Sequence, residues 1–142
     1  MPTTTLNISG GCRCGDIRYA AEAETESRQL VLCHCEHCQK LSGTGHTHTL
    51  GVPADALRWT GRGNTRSYAM QSATGTTVEN HFCGKCGSPV AKRFRERRMD
   101  IFAQSADIWA IHAGSLDASS IESYEPDFKI FLHQKMPWDK YV

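Results

Sequence analysis

The sequence predicts a mainly β fold that holds metal. Short runs rich in threonine, tyrosine and valine are separated by glycine, proline and asparagine, which is the pattern of strands joined by turns. The best helix candidate is short, a single turn within EHCQKLSG directly after Cys35. The 142 residues contain no linker, repeat or low-complexity tract, so we expect one domain over residues 1–142.

Eight segments have strand character, and most end at a turn signal. IRYAAEA alternates partly between apolar and polar residues, and RQLVLCHC is a short apolar run that leads into a cysteine group. TGRGN (60–64) and SATG (72–75) are expected to be turns of a meander. The predicted strands cover residues 17–23, 28–35, 46–52, 64–70, 76–82, 89–94, 108–114 and 128–134.

The charge balance restricts the class of protein. A formal net charge of +1 and a sequence pI of about 7.6 argue against nucleic-acid binding, which draws on many cationic contacts. The basic run KRFRERR (92–98) is expected to be a solvated strand edge or turn, with a surface that faces phosphate or carboxylate as the alternative. MPTTTLNISG does not have the pattern of a signal peptide, and no run reaches the ~18 apolar residues of a membrane helix. We therefore expect a cytoplasmic protein with no membrane partner, in which thiols stay reduced.

The seven cysteines are the strongest functional signal. Each has another cysteine within two or three residues, in the segments GGCRCG, CHCEHCQKLSG and FCGKCGSP. A Cys-x-x-Cys unit with glycine after each cysteine is typical of a zinc knuckle, in which backbone N–H groups stabilise thiolate charge. This grouping favours metal binding over inert buried thiols, and the strand–turn–strand surroundings disfavour thioredoxin-like redox chemistry.

The spacing allows two divisions of the cysteines into metal sites. One joins the two Cys-x-x-Cys units as in a zinc ribbon, but 44 residues (39–82) separate them where about 15–20 is usual. The other gives one closed four-thiolate site and one three-thiolate site with a vacant position, the arrangement of catalytic zinc. In that division the closed site is Cys12, Cys14, Cys83 and Cys86, and the open site is Cys33, Cys35 and Cys38.

Five segments resemble the glutathione-dependent formaldehyde-activating enzyme family, which also includes centromere protein V. They are GGCRCGDIRY, CHCEHCQKLSG, HFCGKCGSPV, AGSLD and KMPW, in family order over almost the whole chain. The resemblance implies stacked antiparallel sheets of the β-tent type in a single zinc-binding domain. It also implies the second division, with structural zinc in the four-cysteine site and catalytic zinc in the three-cysteine site. We expect the zinc of the trio to be the labile one if the four-cysteine site carries most of the metal-dependent stability.

The activity implied by the resemblance is that of a carbon–sulfur lyase of the S-hydroxymethylglutathione synthase type. A small thiol such as glutathione adds to formaldehyde, and the reverse step cleaves the carbon–sulfur bond of the adduct. A zinc ion with three thiolates is expected to hold the reacting sulfur or the aldehyde oxygen at its fourth position. The alternative is a non-catalytic, zinc-stabilised binding module in which the trio holds a structural metal.

The histidines are candidates for proton transfer rather than for metal binding. His34 lies between two cysteines of the trio, so it is expected to point away from both and to pack or lie on the surface. His37 is expected to be exposed. His46 and His48 alternate on one strand face just beyond SGTG, where they would border the open site. We expect either an acid–base role for one of them or a merely polar strand face.

The remaining residues near the trio have simpler expectations. Gly43 and Gly45 are expected to allow a tight backbone path beside the metal. Lys40 and Ser42 are expected to be solvated, with contact to a substrate carboxylate as the alternative. The tryptophans are expected to pack in the core or on the sheets, and the resemblance implies a pocket wall as the alternative for the last of them. They are Trp59, Trp109 and Trp138.

Overall fold

The computed structural model describes residues 5–24, 29–72, 75–95, 107–118 and 125–140. In these ranges the chain forms strands, one α-helix (α1, Glu36–Ser42) and short 3-10 turns at Ala54–Ala56, Ala113–Ser115 and Leu132–Gln134. The strands are β1 (Thr5–Gly11), β2 (Arg18–Glu24), β3 (Gln29–Cys33), β4 (Thr47–Pro53), β5 (Leu57–Trp59), β6 (Thr65–Gln71), β7 (Thr77–Cys83), β8 (Pro89–Phe94), β9 (Ile108–His112) and β10 (Phe128–Ile130). Across the described ranges, no helix has the length and apolar character needed to cross a membrane.

The strands form two sheets. The small sheet has the order β1-β2-β5, and the large sheet has the order β10-β3-β4-β9-β8-β7-β6. All neighbouring strands are antiparallel except β10, which pairs in parallel with β3. A bridge between Gly10 and Leu116 links the end of β1 to the segment after β9.

The main core is shared by the two sheets. Ile8 and Tyr19 of the small sheet belong to the same buried cluster as Leu50, Val52 and Ile111 of the large sheet. Burial of each such aliphatic side chain contributes about 1.5–3 kcal/mol relative to its exposure. The mainly β architecture with stacked sheets, predicted from the sequence, is therefore confirmed.

The other face of the large sheet positions part of the candidate site. Cys33 is the direct cross-strand partner of Thr47, and partners across an antiparallel pair project to the same face. Val31, two residues before Cys33, is therefore also on this face, where it packs with Ile108 in a second buried cluster. The face thus combines an apolar patch with a polar end at Cys33 and Thr47.

The predicted short helix is confirmed, and local signals explain its limits. The Cys35 side chain caps its first turn by accepting a hydrogen bond from the backbone N–H of Cys38. Gly43 ends it in the left-handed conformation, with φ of 72°, where glycine carries no steric penalty.

Several predicted strand limits were wrong. β3 ends at Cys33 because the chain turns into the helix cap, and β10 ends at Ile130 because Phe131 has a left-handed backbone with φ of 56°. β1 and β5 were not predicted. Three predicted segments extend outside the described ranges: the strand 28–35 at residue 28, the turn 72–75 at residues 73–74, and the basic run 92–98 at residues 96–98.

Candidate metal centres

The four-cysteine cluster joins the turn after β1 to the turn after β7. Its four Sγ atoms lie within 4.8 Å of one another, and the Cys14 sulfur is 3.5 Å from that of Cys12 and 3.7 Å from that of Cys83. Tetrahedral zinc with Zn–S bonds of about 2.3 Å places its sulfurs about 3.8 Å apart. The donor set and the spacing therefore fit a zinc ion held by Cys12, Cys14, Cys83 and Cys86.

Backbone and hydroxyl groups around this cluster support thiolate charge. The N–H groups of Lys85 and Cys86 both donate to the Cys83 sulfur at 3.4 Å, and the N–H of Ile17 donates to Cys12 at 3.2 Å. Hydrogen bonds from the side chain and backbone of Ser88 lower the pKa of Cys86 to about 5. These contacts are those of a knuckle built to hold metal-binding sulfurs.

The three-cysteine cluster lies where β3 leads into the helix. Cys33 is the last residue of β3, Cys35 is the helix cap, and Cys38 lies in the first turn. Their ligand atoms lie within 4.8 Å of one another, and all three residues are buried. Among the described residues the set is three thiols with no fourth, which fits a zinc ion that keeps one position for another ligand.

Negative charge within the trio is concentrated on Cys38. Hydrogen bonds from the thiols of Cys33 and Cys35 lower the pKa of Cys38, and the positive charge of Lys92 lowers it further. Hydrogen bonds shared with Cys35 and Cys38 raise the pKa of Cys33. Cys38 is therefore the thiol of the trio that loses its proton most easily, and the pKa of Cys35 is raised, as that of Cys33 is.

Lys92 is the cation that the structure adds to this cluster. Its Nζ donates to the Cys38 sulfur at 3.2 Å and to Thr47 Oγ1 at 3.3 Å, and the residue is buried. The prediction of a solvated basic run over residues 92–98 was wrong for Lys92. The alternation of PVAKRF was the available signal, because it directs Val90 and Lys92 to one face and Ala91 and Arg93 to the other.

A known protein family matches most of this chain. The family model described as glutathione-dependent formaldehyde-activating enzyme matches residues 7–134 of the 142-residue chain. The chain belongs to this family. The match includes all seven cysteines and confirms the resemblance seen in the sequence. Membership supports a glutathione-related, formaldehyde-activating function with the two cysteine clusters as candidate metal sites.

His48 is placed differently from the expectation that it borders the open site. His48 pairs with Leu32, so it projects to the sheet face opposite Cys33 and Thr47. Lys92, rather than His46 or His48, makes the hydrogen bond to the trio. His112 was not among the predicted site residues. Its pKa is lowered to about 4 by burial and by the charge of Lys92.

The chain's last described segment covers the trio from one side. Ile130 and Phe131 pack against the three cysteines, and the Ile130 carbonyl accepts from the backbone N–H of His34 at 3.1 Å. Gln134 Oε1 accepts from the backbone N–H of Glu36 at 2.8 Å, which fastens the segment to the start of the helix. The segment does not cover Trp138, which is 58% exposed.

The tryptophan expectations were met in part. Trp109 is buried, and Trp59 packs edge-on against it with ring centroids 5.3 Å apart although Trp59 itself is partly exposed. Trp138 is not a core residue, and its ring lies beside Gly45. A Cβ at Gly45 would lie 2.4 Å from Asp139 Oδ2, which explains the predicted need for glycine there.

A third group of possible metal ligands lies beside the trio. His34 Nδ1 and His46 Nδ1 are 3.5 Å and 2.9 Å from the same oxygen, Asp139 Oδ2. His34 is packed, as expected, and His37 is exposed, as expected. Burial lowers the pKa of His34, which keeps the ring neutral near pH 7.

Proposed function

We propose that this protein is a zinc-dependent carbon–sulfur lyase of the S-hydroxymethylglutathione synthase type. It would add an aldehyde to a small thiol such as glutathione, or remove it. The observation that carries the proposal is the trio of Cys33, Cys35 and Cys38 with ligand atoms within 4.8 Å and no fourth thiol, in a chain that belongs to this family. Family membership supports formaldehyde and glutathione as the first substrates to test.

The reaction itself is a reversible addition. In the forward direction the thiol sulfur forms a bond to the aldehyde carbon, and the carbonyl oxygen takes up a proton as the thiol gives one up. In reverse the carbon–sulfur bond breaks, and the same atoms return to aldehyde and thiol. A zinc ion held by the three thiolates would supply a Lewis acid with an open position for the reacting sulfur or oxygen.

The chain's own residues have distinct parts in this proposal. Cys33, Cys35 and Cys38 would hold the metal. The pKa values of Cys33 and Cys35 are raised, and the protons of these two thiols would be released when the metal binds. Lys92 offsets the negative charge that three thiolates bring into a buried place, through its hydrogen bond to Cys38. Phe131 and Ile130 cover one side of the trio and would exclude water from that side.

The four-cysteine cluster has a structural part in the proposal. Its sulfurs connect the turn after β1 to the turn after β7, and these two strands belong to different sheets. A zinc ion there would fasten the sheets together in a single domain over residues 1–142. Seven free cysteines support a cytoplasmic location, where thiols stay reduced.

A second candidate function is a non-catalytic zinc-stabilised module. The observation that favours it is the burial of all three trio cysteines, which is also expected of a structural site. A Cys35→Ser variant tests the part that the trio plays in the lyase proposal. The lyase proposal predicts lower zinc content and lost turnover, whereas full metal content with full turnover would contradict it.

Experiments on the wild-type protein distinguish the module from the lyase. If the trio holds a closed structural metal, the zinc-loaded chain should not change the exchange of formaldehyde with any small thiol, and its zinc should not respond to added thiol. The lyase proposal predicts that a small thiol perturbs the spectrum of a Co²⁺-substituted trio, because the thiol reaches the open position.

A further inference from the structure

We propose that His34, His46 and Asp139 form a third metal site, for a divalent first-row cation such as Zn²⁺, distinct from both cysteine clusters. The three residues come from the link after β3, the approach to β4 and the last described segment. Their ligand atoms lie within 4.8 Å of one another. The inference does not rest on the proposed lyase activity.

The spacing of the donors is close to that of metal ligands. Asp139 Oδ2 is 2.9 Å from His46 Nδ1 and 3.5 Å from His34 Nδ1. Bonds of about 2.0–2.2 Å from zinc to nitrogen and oxygen place tetrahedral ligand atoms roughly 3.3–3.5 Å apart. A small adjustment of the group, in which the His46 and Asp139 ligand atoms move slightly apart, would let all three donors bind one cation.

The independent observation is the state of His34. The residue is 0% exposed, and among the described residues its ring nitrogens make only weak contacts, to the Asp139 carboxylate at 3.5 Å and to the backbone of Gly45. A buried imidazole with only weak contacts carries a largely uncompensated desolvation penalty. A metal ion bound at Nδ1 would give this nitrogen a strong partner and would balance the charge of the Asp139 carboxylate that it faces.

The surroundings keep room for the carboxylate. Asp139 is itself buried, and it occupies the space that a side chain at residue 45 would need. His46 also makes a ring contact with His34, with centroids 5.6 Å apart. The His46 side chain is 23% exposed, which gives an ion and a completing water a route to the group.

The donor chemistry selects the class of ion. Two imidazoles and one carboxylate suit zinc and other borderline first-row ions, and they contain none of the sulfur that marks the other two clusters. Asp139 lies beyond residues 7–134, so the family match does not include this third ligand. A site with only nitrogen and oxygen donors can therefore be distinguished by spectroscopy from both thiolate sites.

The test compares metal content and ring-nitrogen spectra of full-length variants. After removal of metal and reloading with Zn²⁺, the wild type is expected to bind one more zinc per chain than either His46→Ala or Asp139→Asn. Long-range ¹H–¹⁵N spectra should show a zinc-dependent shift at the ring nitrogens of His34 and His46. His48→Ala is the matched control, because His48 lies two residues after His46, in β4 and outside the group, and it should keep the third zinc.

Substitution with Co²⁺ separates this inference from the lyase proposal. A Cys33→Ser variant should lose sulfur-to-cobalt charge-transfer absorption from the trio and keep the histidine shifts. If wild type and His46→Ala bind the same amount of zinc, or if the His34 ring nitrogens do not respond to zinc, the inference is wrong. The group would then be a hydrogen-bonded cluster only, whatever the outcome for activity.

Discussion

The ammonium of Lys92 lies 3.2 Å from the sulfur of Cys38, and both residues are buried. This contact brings a cation from the middle of β8 to a cluster formed at the end of β3 and the start of the helix. A buried cation beside thiolates offsets part of their mutual repulsion. It is the closest charge complement that the described residues give to the proposed catalytic site.

Removal of this cation should weaken the site without destroying the fold. We expect Lys92→Met to lower the zinc affinity of the trio, or the turnover, by about 10–100-fold. The reason is that Lys92 supports the ligand Cys38 through a hydrogen bond. Competition with a chromophoric chelator measures the affinity. Lys40→Met is the control, since that lysine side chain is 75% exposed on the helix. Equal affinity and turnover in both variants would show that Lys92 only fills space.

The two cysteine clusters should differ in what they stabilise. Cys86→Ser is expected to lower the free energy of unfolding by about 4 kcal/mol or more, because it removes a ligand that ties two sheets together. Cys33→Ser should lower it by about 1–2 kcal/mol and abolish turnover. Urea denaturation followed by circular dichroism, with zinc held constant, measures both. The opposite order of stabilities would reverse the structural and catalytic assignments.

Gly45 should not tolerate even one added carbon. A Cβ there would meet Asp139 Oδ2 at 2.4 Å and the Trp138 ring at 3.0 Å, so Gly45→Ala is expected to cost about 1–3 kcal/mol. Gly114→Ala is the control, because a Cβ at that position meets nothing within 4 Å. We expect that variant to change the unfolding free energy by less than about 0.5 kcal/mol. A similar cost at both positions would contradict the described packing.

Acid should weaken the link between β2 and the segment after β9. The Arg18 guanidinium and a hydrogen bond from Ser9 lower the pKa of Asp117 to about 2, from an ordinary value of 3.8. The carboxylate therefore stabilises the fold fully above about pH 4, and this contribution is lost as the pH falls towards 2. Both side chains are about a third exposed, so the effect should be small and reduced by salt.

The measurement is the urea midpoint between pH 2 and pH 6 for wild type and Asp117→Asn. The variant should show a shallower decline in stability below pH 4, because it has no carboxyl to titrate at this position. Parallel declines would show that the Arg18 contact adds nothing to stability.

Much of the fold and most of the metal site could be predicted from the sequence. The grouped cysteines and the short helix after Cys35 are local patterns, and local patterns are visible in one chain. β5 was missed because three residues are too few to show alternation. The limit of β10 was missed because a left-handed backbone is usually signalled by glycine, and here the residue is Phe131.

The contacts around the sites could not be predicted in the same way. Lys92 was read as part of an exposed basic run, since its burial depends on which strands flank β8 in the large sheet. Asp139 reaches His46 from 93 residues away along the chain. Pairings of this kind arise from sheet order and from the path of the last segment, and a single sequence does not encode them in any local pattern.

The most direct test of the central proposal follows the exchange of formaldehyde with glutathione by NMR, at known zinc content. We predict that the zinc-loaded wild type accelerates formation and breakdown of the S-hydroxymethyl adduct, and that Cys33→Ala abolishes the acceleration while the four-cysteine cluster keeps its zinc. Full zinc content with no acceleration by the wild type would contradict glutathione as the thiol. Undiminished acceleration by Cys33→Ala would contradict the trio as the catalytic site.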